Sequence, residues 1–349
     1  MKKFLGIFSI ALACYGCCLV DDDLSGCPDE YSIDYEMRLV TNVQTEINTV
    51  LGLEADVHVA AALREYLKDI FSDFAHDVDL SFYDYAEPRP VLEHFSDIMD
   101  ANQASYTLHL PVHDYMHLAV ANIMDNNLVD LDSKAACGTS RLLQDDPDQN
   151  NVISTHNTGL FTARLPMKIL EGVDQSFLVR LYMANCATAL VVDNTAEGTP
   201  AISGFRAFTT GFASSFNIAD STYVFDRNPM VRAENVPVEG GAESCYVTVQ
   251  FPSREPDEEP ESKVVIETTD PFISDNAEEK LWEWVVYVTM PDGTITESRL
   301  GLIKPLRAGQ LKIIRVRIGD GGIVYTDDSS VGVSVTLDWN QAGVHIIPL

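Results

Sequence analysis

Three cysteines crowd into Cys14-Tyr15-Gly16-Cys17-Cys18, and their thiols are the reactive groups that the sequence sets apart most clearly. They follow Met1-Lys2-Lys3 and an apolar run, Phe4–Ala13, that is well short of the roughly 20 residues a helix needs to cross a bilayer. A basic start, a short apolar core and small residues before the break are the parts of a secretory signal peptide. A cysteine placed directly after small residues at the end of such a segment is a substrate for lipoprotein processing: the thiol takes a diacylglyceryl group, the leader is removed, and the new amino terminus is acylated. Cys14, after Ala11-Leu12-Ala13, and Cys17, after Tyr15-Gly16, both fit. Several acyl chains hold a protein on a membrane stably, where one chain is marginal.

The other candidate constellations are weaker. His109, His113 and His117 are spaced by four and would share a face on a helix, but Pro111 and the surrounding alternation make them strand and turn residues, so no metal site is expected. Asp146-Pro147-Asp148-Gln149-Asn150 begins like a calcium loop, yet Asn151 and Asn157 stand where the turn glycine and the bidentate glutamate belong. Trp282, Trp284 and Trp339 could form a sugar-stacking platform; Trp282 and Trp284 would lie on one strand face, which by default is core. Cys27, Cys137, Cys186 and Cys245 have no zinc-ligand spacing; they are either buried thiols or up to two disulfides, and Cys186, in LYMANCATALVV, reads as core. Nucleophile elbows, phosphate-binding loops, dinucleotide fingerprints and HExxH are all missing, and the carboxylates are too numerous for one pair to stand out as acid and base. No enzyme activity and no cofactor are expected.

The formal charge is −30, and removing Lys2 and Lys3 with the leader makes the chain two units more negative. Such a chain is repelled by phosphate backbones and anionic head groups, which excludes nucleic acid as a partner and any basic membrane-binding face. The acids are dispersed, as on a solvated surface rather than in a disordered tail.

The elements that must position these residues are almost all strands. Tyr31, Ile33, Tyr35, Met37 and Leu39 alternate with polar residues. Leu63, Leu67, Ile70, Phe71 and Phe74 form a helical stripe, predicting one helix over about 56–76. Strand patterns follow at Val78–Phe82, on both sides of a turn at 111–114, and at Phe177–Asp193; residues 125–158 read as a mostly polar loop. Beyond a joint at 194–200, the patterns at Ile202–Phe216, Cys245–Phe251, Leu281–Met290, Leu311–Ile318, Ile323–Tyr325, Val331–Trp339 and Val344–Leu349 predict short strands with frequent turns, Gly319-Asp320-Gly321-Gly322 marking a hairpin. The fold class is mainly β, built of sandwiches.

The stretch from Cys17 to Cys27-Pro28, together with LPVHDYMHLAVAN (110–122), LYMANCATALVVD (181–193), LIKPLRAGQLKIIRV (302–316) and VGVSVTLDWNQAGVHIIPL (331–349), resembles the FimB-type fimbrial anchor lipoproteins of Bacteroidales, the minor-fimbria anchor family. The resemblance covers essentially the whole mature chain. It implies two tandem transthyretin-like β-sandwich domains, 31–195 and 201–349, after a signal peptide (1–16) and an acylated tether (17–30). It favours Cys17 over Cys14, because the family places the acylated cysteine ten positions before Cys-Pro. It also implies a lipid-held protein of the outer membrane, with covalent diacylglycerol and an N-acyl chain, that anchors a fimbria and limits its length, with fimbrial shaft subunits as partners. The terminal segment is then the candidate strand for fibre contact, through Val331, Val333, Val335, Leu337, Trp339, Val344, Ile346 and Leu349. A lipid-anchored adhesin or glycan-binding module is the alternative.

Overall fold

The computed structural model describes residues 30–39, 48, 50–52, 54, 56–68, 70–71, 77–86, 91–95, 105–122, 129–131, 141–144, 151–218, 221–256, 280–328 and 331–336. The first half carries β1 (Glu30–Leu39), α1 (Val57–Leu67), β2 (Val78–Asp84), β3 (Val91–Phe95), β4 (Ser105–Pro111), β5 (Asp114–Ala121), β6 (Val129–Leu131), β7 (Arg141–Gln144), β8 (Val152–Ser154), β9 (Phe161–Lys168), β10 (Gln175–Met183) and β11 (Cys186–Asp193). The second half carries β12 (Gly204–Thr210), β13 (Ser215–Asn217), β14 (Thr222–Val224), β15 (Met230–Arg232), β16 (Glu234–Val236), β17 (Glu243–Gln250), β18 (Trp282–Thr289), β19 (Ile295–Leu302), β20 (Leu311–Ile318), β21 (Val324–Tyr325) and β22 (Val331–Thr336). The chain is mainly β, as its alternation predicts.

The first sandwich is a sheet of order β3-β2-β5-β9-β10-β1-β4 folded over on itself. Two facts require the fold. Only Val112 and His113 separate β4 from β5, although three strands lie between them in the sheet. In addition, β10 runs beside β1 as far as Leu181 and then pairs with β9 only at Tyr182 and Met183, so it passes from one layer to the other. Ile33, Leu108, Leu110, Val179 and Leu181 from one layer, and Leu80, Phe82, Tyr115, Ala119 and Met167 from the other, belong to one buried cluster.

Helix α1 starts at Asp56, whose Oδ1 accepts from the backbone N–H groups of His58 and Val59 at 2.7 and 3.0 Å. Val59, Leu63 and Leu67 are buried on its inner face. The helix ends earlier than the predicted 56–76. Ile70 and Phe71 stay buried in the following turn, where Phe71 N–H donates to Leu67 C=O at 2.8 Å, while Phe74 lies outside the described residues. Apolar spacing reports burial, and burial continues here after the helix has ended.

β11 is the centre of the second sandwich. One layer has the order β16-β17-β11-β20-β21, the other β22-β19-β18-β12-β15-β8. Cys186, Leu190 and Val192 face the second layer and meet Trp282, Trp284, Val286 and Leu300. Ala187, Ala189 and Val191 point the other way, into the cluster that also holds α1 and the first sandwich. A strand buried on both faces reads as a continuous apolar run, which is what LYMANCATALVV shows. Sheets therefore cross the joint at 194–200: β11 and β8, both before it, hydrogen-bond to β17, β20 and β15, which follow it. Arg315 adds an ionic link, bridging Glu54 ahead of α1 and Glu243 on β17. Burial works against its charge, and the two carboxylates outweigh that and hold the guanidinium above its ordinary range.

The polar loop expected at 125–158 is corrected in part. β6, β7 and β8 lie within it, and β6 and β7 pair with β13 and β14 in a small sheet. Strands of three or four residues are too short to alternate visibly; partners distant in sequence specify them.

Two histidines are fully buried among the described residues. His117 stacks on Phe82, ring centroids 4.3 Å apart, and His156 Nδ1 accepts from Asn185 Nδ2 at 2.6 Å. Desolvation pulls their imidazoles down to about 4 and about 3. In the unfolded chain both take up protons near 6.5. Between those limits the unfolded state binds more protons, so stability should fall as pH drops from about 6.5 towards 4, by up to ~1.4 kcal/mol per pH unit for each histidine. Urea midpoints at pH 7 and pH 5 test this: the midpoint should be lower at pH 5, and His117→Gln should narrow the gap. Equal midpoints in the parent protein would contradict it.

Candidate functional site

β22 is the last strand described and forms one edge of the six-stranded sheet, with β19 as its neighbour. Its register sets Val331 opposite Leu302, Val333 opposite Leu300 and Val335 opposite Ser298. Leu300, Leu302 and Ser298 are buried, so β19 presents a fixed inner face to which the edge is keyed. The outer side of an edge strand offers unpaired N–H and C=O groups to any further strand.

The scaffold behind that edge is rigid. Trp282 and Trp284 on β18 are 2% and 0% exposed. Trp282 Nε1 donates to Lys304 C=O at 2.9 Å and Trp284 Nε1 to Thr188 Oγ1 at 3.3 Å, so both indoles are satisfied inside the protein. The sugar-stacking alternative for these two rings is overturned: no sugar reaches them. The sequence does place them on one strand face, and that face is core.

The opposite face of β18 and β19 carries a charge cluster that motif reading missed. Arg299 donates from Nη1 to Glu283 at 2.7 Å and from Nε to Glu297 at 2.5 Å, while Lys280 reaches Glu283 at 2.5 Å. Both carboxylates are nearly buried. Desolvation disfavours the Arg299 charge, and the glutamates outweigh it. Tyr287 beside them is pushed up to about 12, by burial first and then by the Glu297 charge. The signal available in sequence was Glu297-Ser298-Arg299, two charges of opposite sign alternating around a small residue on a strand. Arg299 stands in register with Ser334 of β22, so this cluster borders the edge.

A cleft of about 440 Å³ opens at the far side of the other layer, lined by Arg315, Arg317, Tyr325, Asp327 and Asp328 among others. Arg317 lies over the Tyr325 ring at 5.7 Å, and Lys312 pairs with Asp328 at 2.8 Å, so its charges are largely matched within the protein.

The remaining sequence candidates do not converge. His109 is on β4, His113 is in the turn with Nε2 2.8 Å from Asp84, and His117 is in the core. Cys186 and Cys245 are buried free thiols, in clusters on opposite faces of the five-stranded sheet. Burial pushes the Cys186 thiol up, and raises Cys245 to about 12 with help from the Glu54 and Glu243 charges. Cys14, Cys17, Cys27, Cys137, residues 145–150, Leu337, Trp339, Val344, Ile346 and Leu349 lie outside the described residues.

No family model and no curated protein matches the chain. Among solved structures, a candidate polysaccharide-binding protein of Bacteroides thetaiotaomicron superposes with a TM-score of 0.51 at 10% identity, over 86% of this chain and 97% of that chain. A candidate adhesin of Bacteroides ovatus gives a TM-score of 0.50 at 8% identity, over 88% of this chain and 95% of that one. The fimbrial anchor protein Mfa2 of Porphyromonas gingivalis aligns at a TM-score of 0.45 and 12% identity, over 89% of this chain and 100% of that one. The first two likenesses establish a shared fold.

Proposed function

We propose that this protein is a surface lipoprotein that attaches a fimbria to the outer membrane and so limits the length of the fibre. It acts without enzymatic chemistry or cofactor: Cys17 carries the acyl chains, and the edge of the six-stranded sheet meets a fimbrial shaft subunit. The observation that carries this reading is β22, the edge strand of this sheet among the described residues, backed by a buried β18–β19 scaffold and immediately ahead of the terminal segment named from sequence. The lipoprotein-like leader, the fold shared with a candidate adhesin, and the resemblance of 302–316 and 331–349 to the anchor family support it. A glycan-binding role would need a surface other than Trp282 and Trp284.

Two variants test both ends. Cys17→Ala should move the protein and its fimbriae from the membrane fraction to the medium; retention with an acyl group would make Cys14 the anchor. Deleting 337–349 while keeping β22 should leave a folded, membrane-held protein and release most fimbriae. Fimbriae that stay cell-bound after that deletion would refute the fibre contact.

A further inference from the structure

The turns at one end of the first sandwich carry four of the large apolar side chains that stand exposed among the described residues. Tyr85 is 55% exposed, Val112 44%, Leu170 42% and Val173 46%. They come from three separate connections, after β2, between β4 and β5, and between β9 and β10. Hydrogen bonds tie those connections together: Tyr85 N–H donates to Asp114 C=O at 3.0 Å, Ile169 N–H to His113 C=O at 2.9 Å, and Leu170 N–H to Gln175 Oε1 at 2.7 Å. Isolated exposed apolar residues need no explanation, but several gathered on one tip mark a surface that meets something.

The position of this tip limits what covers it. β1 begins here, with Glu30 opposite Pro111 and Ile33 opposite Gln175. The second sandwich is at the other end, where Leu160 and Ala184 share a buried cluster with Ala213 and Phe251. The tip is thus the pole nearest the N-terminal segment. Twelve residues separate Cys17 from Glu30, a reach of at most about 45 Å when fully extended.

Charge narrows the choice further. Asp84 is held by His113 and Asp114 by Lys168, which leaves, among the described residues of this pole, Glu171 and Asp174 as exposed acids and no cluster of cations. This rim does not attract an anionic surface, and it suits a zwitterionic one. Tyrosine, with an apolar ring and a polar tip, is at home at such an interface.

We infer that this pole rests on a phospholipid surface, with Tyr85, Val112, Leu170 and Val173 dipping into the head-group boundary. The inference deepens the lipid-anchor reading and rests on it: the acyl chains bring the pole to the bilayer, and the four side chains fix its orientation there.

The test holds the protein on vesicles without acylation. The chain from residue 18, with a histidine tag ahead of it, is bound to phosphatidylcholine vesicles containing a nickel-chelating lipid, as the parent and with Val112→Trp, Val173→Trp or, as a control in the other half of the chain, Ile202→Trp. Bromine-labelled phosphatidylcholine should quench the added fluorescence at 112 and 173, with a blue shift, and leave that at 202 unchanged. Equal behaviour at all three positions would overturn the inference. So would a blue shift without vesicles that grows with protein concentration, which would assign the pole to a second copy. Because the tag replaces the lipid, the result is independent of whether Cys17 is acylated in cells, which the Cys17→Ala fractionation decides separately.

Discussion

Trp284→Ala should lower the stability of the protein by about 3–5 kcal/mol, because it removes the largest fully buried side chain described and leaves a cavity that the two sheets cannot close. The indole spans the layers, its Nε1 donating to Thr188 Oγ1 at 3.3 Å, so the change also removes one of the two hydrogen bonds of that hydroxyl, which keeps its donation to Lys312 C=O at 2.9 Å. For a chain of 349 residues the loss corresponds to about 4–7 °C in melting temperature. Calorimetry with urea titration checks it. A loss under about 1 kcal/mol would mean that the ring is not core. The result also separates two roles for tryptophan: a sugar platform would lose binding while keeping its stability.

Arg315→Met should cost about 2 kcal/mol, below the range for a fully buried pair because the guanidinium side chain is 40% exposed. What makes it costly is what remains. The Glu54 and Glu243 side chains are 5% and 11% exposed, and without Arg315 both charges lie buried and unmatched. Glu243 Oε2 already has no hydrogen-bond partner. A double-mutant cycle with Glu54→Gln isolates the link across the joint, with an expected coupling of about 1 kcal/mol. Strict additivity would show that Arg315 does not tie the two halves together.

The strands that sequence reveals are those with one clear periodicity or one uniform environment. β17 alternates because one face takes apolar and the other polar side chains, and β11 is a continuous run of apolar and small residues because both its faces are covered. β6, β7, β13 and β14 escape because three or four residues cannot establish a period, and their pairing joins segments about 70 residues apart. Ile202–Phe216 reads as one strand and is two, β12 and β13, separated around Gly211, whose φ of +94 and close approach to Leu281 C=O leave no room for a side chain. The candidate edge was legible as a strand from the alternation of Val331, Val333 and Val335. That it lies outermost was not, since sheet order depends on pairings that no local pattern encodes. The charge cluster around Arg299 was hidden for the same reason, as Glu283 reaches it from the neighbouring strand.

β1 has a further consequence, a mechanical one. It is paired along its whole length, by β4 over Glu30–Glu36 and by β10 over Ile33–Leu39, with both sides engaged at once over Ile33–Glu36. It starts at the pole distant from the second sandwich and runs towards it. A pull on the N-terminal segment, resisted at the opposite end of the molecule, is therefore directed along the strand axis. Over Ile33–Glu36 such a load is shared by both ladders at once and cannot peel the bonds off one by one, so tension between the N-terminal segment and the far end of the molecule is borne in shear.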